Sequence, residues 1–174
     1  GESISVVFDY VLTPEMRQGP VLYLEVGSFE GSSATWFADN VLRHNKASRL
    51  LCVDAWDAQF FDDTDSQSED LEVRQTLKTA LPGAVDRFRS NLQKTPGGDQ
   101  VVALKGRSAS ALTALSNQPT LLEAFDLVYV DGGHDANQVL QDAVLAFRLL
   151  KKGGIMAFDD YGARGATDPR RGID

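Results

Sequence analysis

The stretch Val21 to Gly31, V-L-Y-L-E-V-G-S-F-E-G, constrains the fold of this chain more than any other. Its first six residues are almost continuously apolar, which suits a strand buried on both faces of a parallel sheet rather than a half-exposed strand with in-out alternation. The run breaks at glycine: Glu25 ends it, and Gly27 and Gly31 lie in the turn that leads into a helix. A backbone approaches a ligand closely where side chains are missing, and a helix N-terminus carries free N–H groups. A nucleotide-like ligand is the expected occupant.

The same grammar recurs downstream. Ala34, Phe37, Ala38, Val41 and Leu42 fall on one face of a helix, with Ser32 or Ser33 as its cap. Arg49 to Asp54 is a second apolar run ending in an acid, and strand-helix-strand implies a right-handed crossover and a parallel pair. In dinucleotide-binding sheets an acid at this place accepts the ribose hydroxyls. Asp54 is read that way, against the plainer alternative of a loop carboxylate. Gln100 to Leu104 predicts a third strand closing on Gly106-Arg107-Ser108, with Ser108 as N-cap of a short helix to Leu115. Phe125 to Asp131 predicts a fourth, followed by Gly132-Gly133-His134. Asp135 then looks like an N-cap with Gln138 reaching back to it, and Val139, Leu140, Ala143, Val144, Phe147 and Leu150 give the next helix its apolar face. Lys151, Lys152 and Gly153-Gly154 are expected to end that helix, and Ile155 to Phe158 to form a fifth strand ending in Asp159-Asp160.

At 174 residues the chain suits one domain with a sizeable core. Its net charge of -8, with no large Lys/Arg cluster, argues against a nucleic-acid partner. The single cysteine, Cys52, lies in an apolar run and reads as a small buried side chain. No secretory or membrane-length apolar segment is evident, so a cytoplasmic location without membrane association is expected. In the N-terminal segment, residues 1–20, Ile4 to Leu12 predicts a helix over one edge of the sheet. The acidic stretch Trp56 to Asp70 is either a solvated loop or, through Trp56, Phe60 and Phe61, a lid over the ligand. Leu71 to Leu92 looks helical, with a break at Pro82-Gly83.

Glu25-x-Gly27, Asp54, Gly106-x-Ser108, Asp131 with His134, and Asp159-Asp160 together form a set that resembles the class I S-adenosylmethionine-dependent methyltransferases, from about Val21 to Tyr161. V-D-A-W, Y-V-D-G-G-H-D-A-N-Q-V-L-Q-D and L-L-K-K-G-G-I-M-A-F-D-D-Y resemble the branch of catechol-type and macrocin-type O-methyltransferases, many of them metal-dependent. The resemblance implies an α/β, Rossmann-like, doubly wound sheet of order 3-2-1-4-5 with helices on both faces. It implies S-adenosylmethionine as cofactor, its methionine end near Glu25, Gly27 and Ser28 in the turn closed by Gly31. The ribose falls to Asp54, with Ala55 beside it, and Trp56, Gly106, Arg107 and Ser108 border the adenine, with Asp131 also against the cofactor. Asp131, Asp159 and Asp160 match positions that supply magnesium ligands in metal-dependent members. Carboxylates gathered at one sheet edge raise one another's pKa unless a cation neutralises them, and hard oxygen donors suit magnesium, manganese or calcium. The plain alternative for Asp159-Asp160 is capping or solvent exposure. His134 is open between general base, metal neighbour and loop imidazole.

The implied reaction is methyl transfer to a hydroxyl of a small molecule, a sugar or polyhydroxylated metabolite, with divalent-metal assistance and with His134 or Asp131 receiving the proton. Its rivals are a domain that binds cofactor or partner without turnover and, more weakly, an NAD-dependent dehydrogenase, whose G-x-G-x-x-G fingerprint would need glycine in place of Glu25. In the family a further helix and an antiparallel hairpin usually follow the position of Asp160, whereas Tyr161 to Asp174 are rich in Gly and Arg. The expected layout is therefore a methyltransferase domain over residues 21–174, C-terminally incomplete, with the fifth strand as an exposed edge open to a second copy.

Overall fold

The computed structural model describes residues 4–57, 76, 78–133, 135–159, 161 and 170–173. Five strands form one sheet: β1 Leu22–Val26, β2 Arg49–Asp54, β3 Val101–Lys105, β4 Phe125–Val130 and β5 Leu150–Phe158. All neighbouring pairs are parallel and the order is β3-β2-β1-β4-β5, as expected. The helices are α1 Ile4–Val11, α2 Pro14–Gln18, α3 Ser32–Asn40, α4 Ala84–Gln93, α5 Ser108–Ser116, α6 Ala136–Phe147 and α7 Arg170–Ile173.

Strand alternation sorts the central residues onto two cores. Tyr23 on β1, Leu50 and Cys52 on β2 and Leu127 and Tyr129 on β4 point to one side, where α1, α3 and α4 cover them with Phe8, Phe37, Phe88 and Leu92. Leu24, Val26, Val53, Val128 and Val130 point to the other, against Ala111 and Leu112 of α5 and Ala146 of α6. Burial on both faces is why these strands read as continuous apolar runs. On the edge strand β3, by contrast, Val102 is 55% exposed.

The N-terminal helix forms as expected but lies elsewhere than over an edge. Phe8 packs edge-on against Tyr23 of β1 and Tyr129 of β4 and stacks on Trp36, so α1 covers the middle of the sheet. Its ring is wholly buried. Truncation of such a ring typically costs about 3–5 kcal/mol.

Several local expectations are corrected. Gly31, in the left-handed region, is the N-cap of α3, and neither Ser32 nor Ser33 caps it; Arg107, not Ser108, is the N-cap of α5. Asp135 does cap α6, accepting from the Asn137 N–H. The apolar face expected for α6 holds at Val139 and fails at Leu140, Val144 and Phe147. The helix buries Val139, Asp142 and Ala146, while Leu140, Val144 and Phe147 are 49%, 59% and 69% exposed. This helix carries two apolar stripes, and the narrower one, with an acid in it, faces the sheet. Nor do Lys151 to Gly154 end the helix: α6 stops at Phe147, and β5 already begins at Leu150, with a register irregularity opposite Phe125–Leu127. The break expected at Pro82-Gly83 is present, with Gly83 as N-cap of α4.

Candidate active site

The sheet's hydrogen-bond ladder continues past the strands and draws four loops to one edge. Gly106 N–H donates to Asp54 O, Gly27 N–H to Val53 O, Asp131 N–H to Val26 O and Asp159 N–H to Val130 O, all within 2.8–3.0 Å. The strand order reverses between β1 and β4, and in open α/β sheets a crevice for ligands lies at that point. The strand-end residues singled out from sequence are thus brought together, except His134 and Asp160, which lie outside the described residues, as do Phe60 and Phe61.

The glycine turn is held far more tightly than the sequence suggested. Gly27 has φ +88°, and a Cβ there would stand 2.0 Å from Asp131 O, so the exits of β1 and β4 touch through this residue. Gly31 has φ +82°, and a Cβ would meet the Phe88 ring at 2.7 Å. Both glycines are therefore required by the protein's own packing, before any ligand is considered. Asp54 Oδ2 accepts from the N–H groups of Ser28 and Phe29 at 2.9 and 2.8 Å, and Oδ1 accepts from Trp56 N–H at 2.7 Å. Beyond the turn, Arg87 of α4 pairs with Glu30 at 2.7 Å and Asn91 donates to Glu30 O. Phe29 and Trp56 both occupy the left-handed region, at φ 44° and 43°, a strained choice for bulky residues that these bonds hold in place.

Trp56 is turned inward at this turn. Its ring is 6% exposed, lies 5.0 Å from the Phe88 ring and donates Nε1–H to Phe29 O at 2.6 Å. An indole so packed supports the turn from within the core. Asp54 is also largely engaged: a carboxylate oxygen accepts about two hydrogen bonds, so Oδ2 is filled and only Oδ1 has room for a hydroxyl. Ala55, half-buried, lies between them.

Gly106 stands in contrast. Among the described residues a Cβ there would find its nearest neighbour, Ala111 Cβ, at 4.0 Å, so the packing of these residues does not demand a glycine. The adjoining Arg107 is exposed and Ser108 half-buried.

On the floor of the crevice, Glu25 is completely buried and pairs in register with Cys52 of β2 and Tyr129 of β4. Tyr23 donates its hydroxyl to Glu25 Oε2 at 3.0 Å, whereas among the described residues neither Oε1 nor the buried Ser28 Oγ has a partner in good hydrogen-bond geometry, although the Ser28 and Ser33 hydroxyls lie near enough to act on the carboxyl. Burial pushes the Glu25 carboxyl up to about 7; the Ser33, Ser28 and Tyr23 hydroxyls counter part of the rise, and Asp54 adds to it. An acid poised in this way, beside a hydroxyl that its surroundings leave loosely held, suits the cationic amino-acid end of a ligand. Asp131 and Asp159 are half-buried on neighbouring strands. Both face the Tyr129 hydroxyl, whose proton is held tightly first by burial and then by their two negative charges. Sequence reasoning missed Tyr129; the signal was its place directly opposite Glu25, which follows once β1 and β4 are aligned.

Two carboxylates flanking a hydroxyl offer the hard oxygen donors a magnesium-like ion needs. Among the described residues, however, no group of three or more His, Cys, Asp or Glu is gathered closely enough to hold a metal ion. The metal site expected from Asp131, Asp159 and Asp160 is thus represented by two of its three members. No helix among the described residues is long and apolar enough to cross a membrane.

Solved structures share this architecture. The O-methyltransferase from Bacillus cereus in complex with SAH is 16% identical, with a TM-score of 0.64 over 97% of this chain and 66% of that one. TomG from Streptomyces achromogenes, an O-methyltransferase involved in tomaymycin synthesis and bound to SAM, is 17% identical, with a TM-score of 0.61 over 99% and 74%. At such identities the likeness establishes the fold, which is the Rossmann-like fold of methyltransferases. A model described as a methyltransferase domain matches residues 24–161, and the chain belongs to that family. Protein R132 of Acanthamoeba polyphaga mimivirus is 27% identical over 152 residues, 86% of this chain and 56% of that protein. The chain thus spans little more than half the length of this relative.

Proposed function

We propose that this domain binds S-adenosylmethionine in the crevice between β1 and β4 and transfers its methyl group to a hydroxyl of a small molecule, of the sugar or polyhydroxylated class. The observation that carries the reading is the wholly buried Glu25 carboxyl beside the buried Ser28 hydroxyl, at the end of β1 in a methyltransferase-family sheet, with Glu25 Oε1 and Ser28 Oγ both outside good hydrogen-bond geometry among the described residues. They fit the ammonium of the cofactor's methionine end. Gly27 and Gly31 shape the turn, Asp54 Oδ1 receives the ribose, and the Gly106-Arg107-Ser108 loop walls the adenine, with Asp131 closing the other side. Two O-methyltransferases of the same fold, one SAH-bound and one SAM-bound, support oxygen as the acceptor atom.

In the transfer the acceptor oxygen forms a bond to the methyl carbon while the carbon–sulfur bond breaks, its electron pair returning to sulfur. In-line placement of donor and acceptor supplies much of the acceleration. The acceptor's proton goes to His134 or Asp131. Asp131, Asp159 and Asp160 would hold a divalent cation, which when bound lowers the pKa of a coordinated hydroxyl and orients it. The domain over residues 21–174 works in the cytoplasm, and a second copy pairs along the free edge of β5.

Calorimetric titration with S-adenosylmethionine and S-adenosylhomocysteine, with and without magnesium, tests the central claim. Micromolar binding of either is expected, and no binding of both removes the reading. Chelator-insensitive turnover together with an unimpaired Asp159→Ala variant removes the metal; binding without turnover on any hydroxylated acceptor leaves a cofactor-binding domain. Analytical ultracentrifugation showing only monomer removes the paired edge.

A further inference from the structure

On the α5 and α6 side of the sheet lies a buried acid that the reaction above does not use. Asp142 of α6 is 2% exposed, and its Oδ1 has no hydrogen-bond partner among the described residues. A Cβ built on Gly132 would stand 3.5 Å from Asp142 Oδ2 and 3.8 Å from Val26 O, which places the carboxyl beneath the exit of β4, beside the end of β1. The hydroxyl of Ser108, the first residue of α5, faces it: burial pushes the acid up to about 6, and Ser108 holds that rise in check. A helix that only had to cover a sheet would bury a leucine here. Instead α6 turns Leu140, Val144 and Phe147 outward and an acid inward. Burying a carboxyl with an unmatched oxygen is costly, and such breaches of local consistency concentrate at functional sites.

We propose that Asp142 is a positioning residue: its carboxyl, from beneath, engages the Ser108 hydroxyl and braces the Gly132 turn, so setting the relative placement of the two loops, 106–108 and 131–133, that face the cofactor. The inference rests on the cofactor reading above for its consequence, though not for the contact itself. Loss of this brace leaves the fold intact and loosens the adenine wall relative to the β4 exit.

The test compares wild type with D142N, D142L, S108A and D142L/S108A by S-adenosylhomocysteine calorimetry and thermal melting. D142L and S108A are each expected to weaken binding about tenfold, the equivalent of one hydrogen bond, and the double variant no further. D142N, whose amide oxygen still accepts from Ser108, keeps affinity within about threefold of wild type and melts at or above it, because a buried charge is gone. A D142L protein that binds as tightly as wild type, or losses that multiply in the double variant, overturns the proposal. Amide hydrogen exchange on the unliganded proteins is the second measurement: D142L should accelerate exchange at residues 106–110 and 131–133 and leave β2 unchanged. If wild type binds no S-adenosylhomocysteine, the cofactor reading falls while the exchange result still judges Asp142. Should D142L fail to fold, S108A reads the same contact from the other side, and unchanged exchange in its loop overturns the brace.

Discussion

Two of the glycine-bearing turns at the carboxyl edge of the sheet, those after β1 and β3, make opposite use of the same residue. In the turn after β1, Gly27 and Gly31 are demanded by backbone and ring contacts inside the protein, and Asp54, Trp56, Arg87 and Asn91 occupy the polar groups around them. In the turn after β3, Gly106 has no neighbour among the described residues that a side chain would offend. The first is a rigid abutment and the second an open ledge. A glycine in a strand-end turn is therefore ambiguous evidence for a ligand until its surroundings are known.

Substitutions can break or sharpen this contrast. Gly27→Ala should have the largest effect: its Cβ would strike the Asp131 carbonyl, and the φ of +88° disfavours any side chain, so a loss of about 4 kcal/mol or more is expected in chemical denaturation. Glu25, on the floor between the turns, comes next. Its folded value of about 7 lies above the ordinary 4.5. Between those values the folded chain keeps a proton that the unfolded chain has released, so stability falls as pH rises through this window and levels off above about pH 7. The full fall is on the order of 3 kcal/mol, and Glu25→Gln should lack it when denaturation midpoints are compared from pH 4 to 8. Asp142, raised from 3.8 to about 6, contributes a fall of the same sign over its own lower window in both proteins.

Trp56→Phe removes the donor to Phe29 O while keeping most of the ring packing; a stability loss of about 1–3 kcal/mol is expected, read in the same denaturation experiment. Gly106→Ala should be the mildest for the fold, within about 0.5 kcal/mol, yet it should weaken S-adenosylhomocysteine binding about tenfold by crowding the ledge. A Gly106→Ala protein that loses stability but keeps its ligand would erase the distinction between the two turns.

The sheet was legible because each central strand is an apolar run ended by glycine or acid, and parallel burial leaves that mark directly in the chain. Residues Glu25, Asp54, Gly106, Asp131 and Asp159 reach one edge for the same reason. What escaped was relational. Periodicity in α6 showed an apolar face through Leu140, Val144 and Phe147, but a helix with two stripes does not announce which one meets the sheet. The start of β5 was hidden because Lys151, Lys152, Gly153 and Gly154 look like a helix stop, although strand pairing with β4 overrides their propensity. Trp56 follows a polar strand end and precedes an acidic stretch, and nothing local says that its indole folds back on Phe29. The engagement of Asp54 by the N–H groups of Ser28 and Phe29 likewise depends on a turn about 25 residues earlier in the chain.

The contact of Gly27 with Asp131 has a temporal consequence. The residues of β1 and β4 that meet here are about a hundred positions apart, as in the bond from Leu22 N–H to Asp126, with a separation of 104. The β2 pairing, by contrast, closes a loop of roughly a quarter of that length, as between Val21 and Ser48, 27 apart. Loop closure becomes costlier with length, and non-local pairings slow folding. The crevice walls thus come from the pairing with the greatest closure cost in the central sheet. On refolding from denaturant, recovery of ligand binding should follow the slowest phase, after α3 and the β1–β2 unit have already regained their structure.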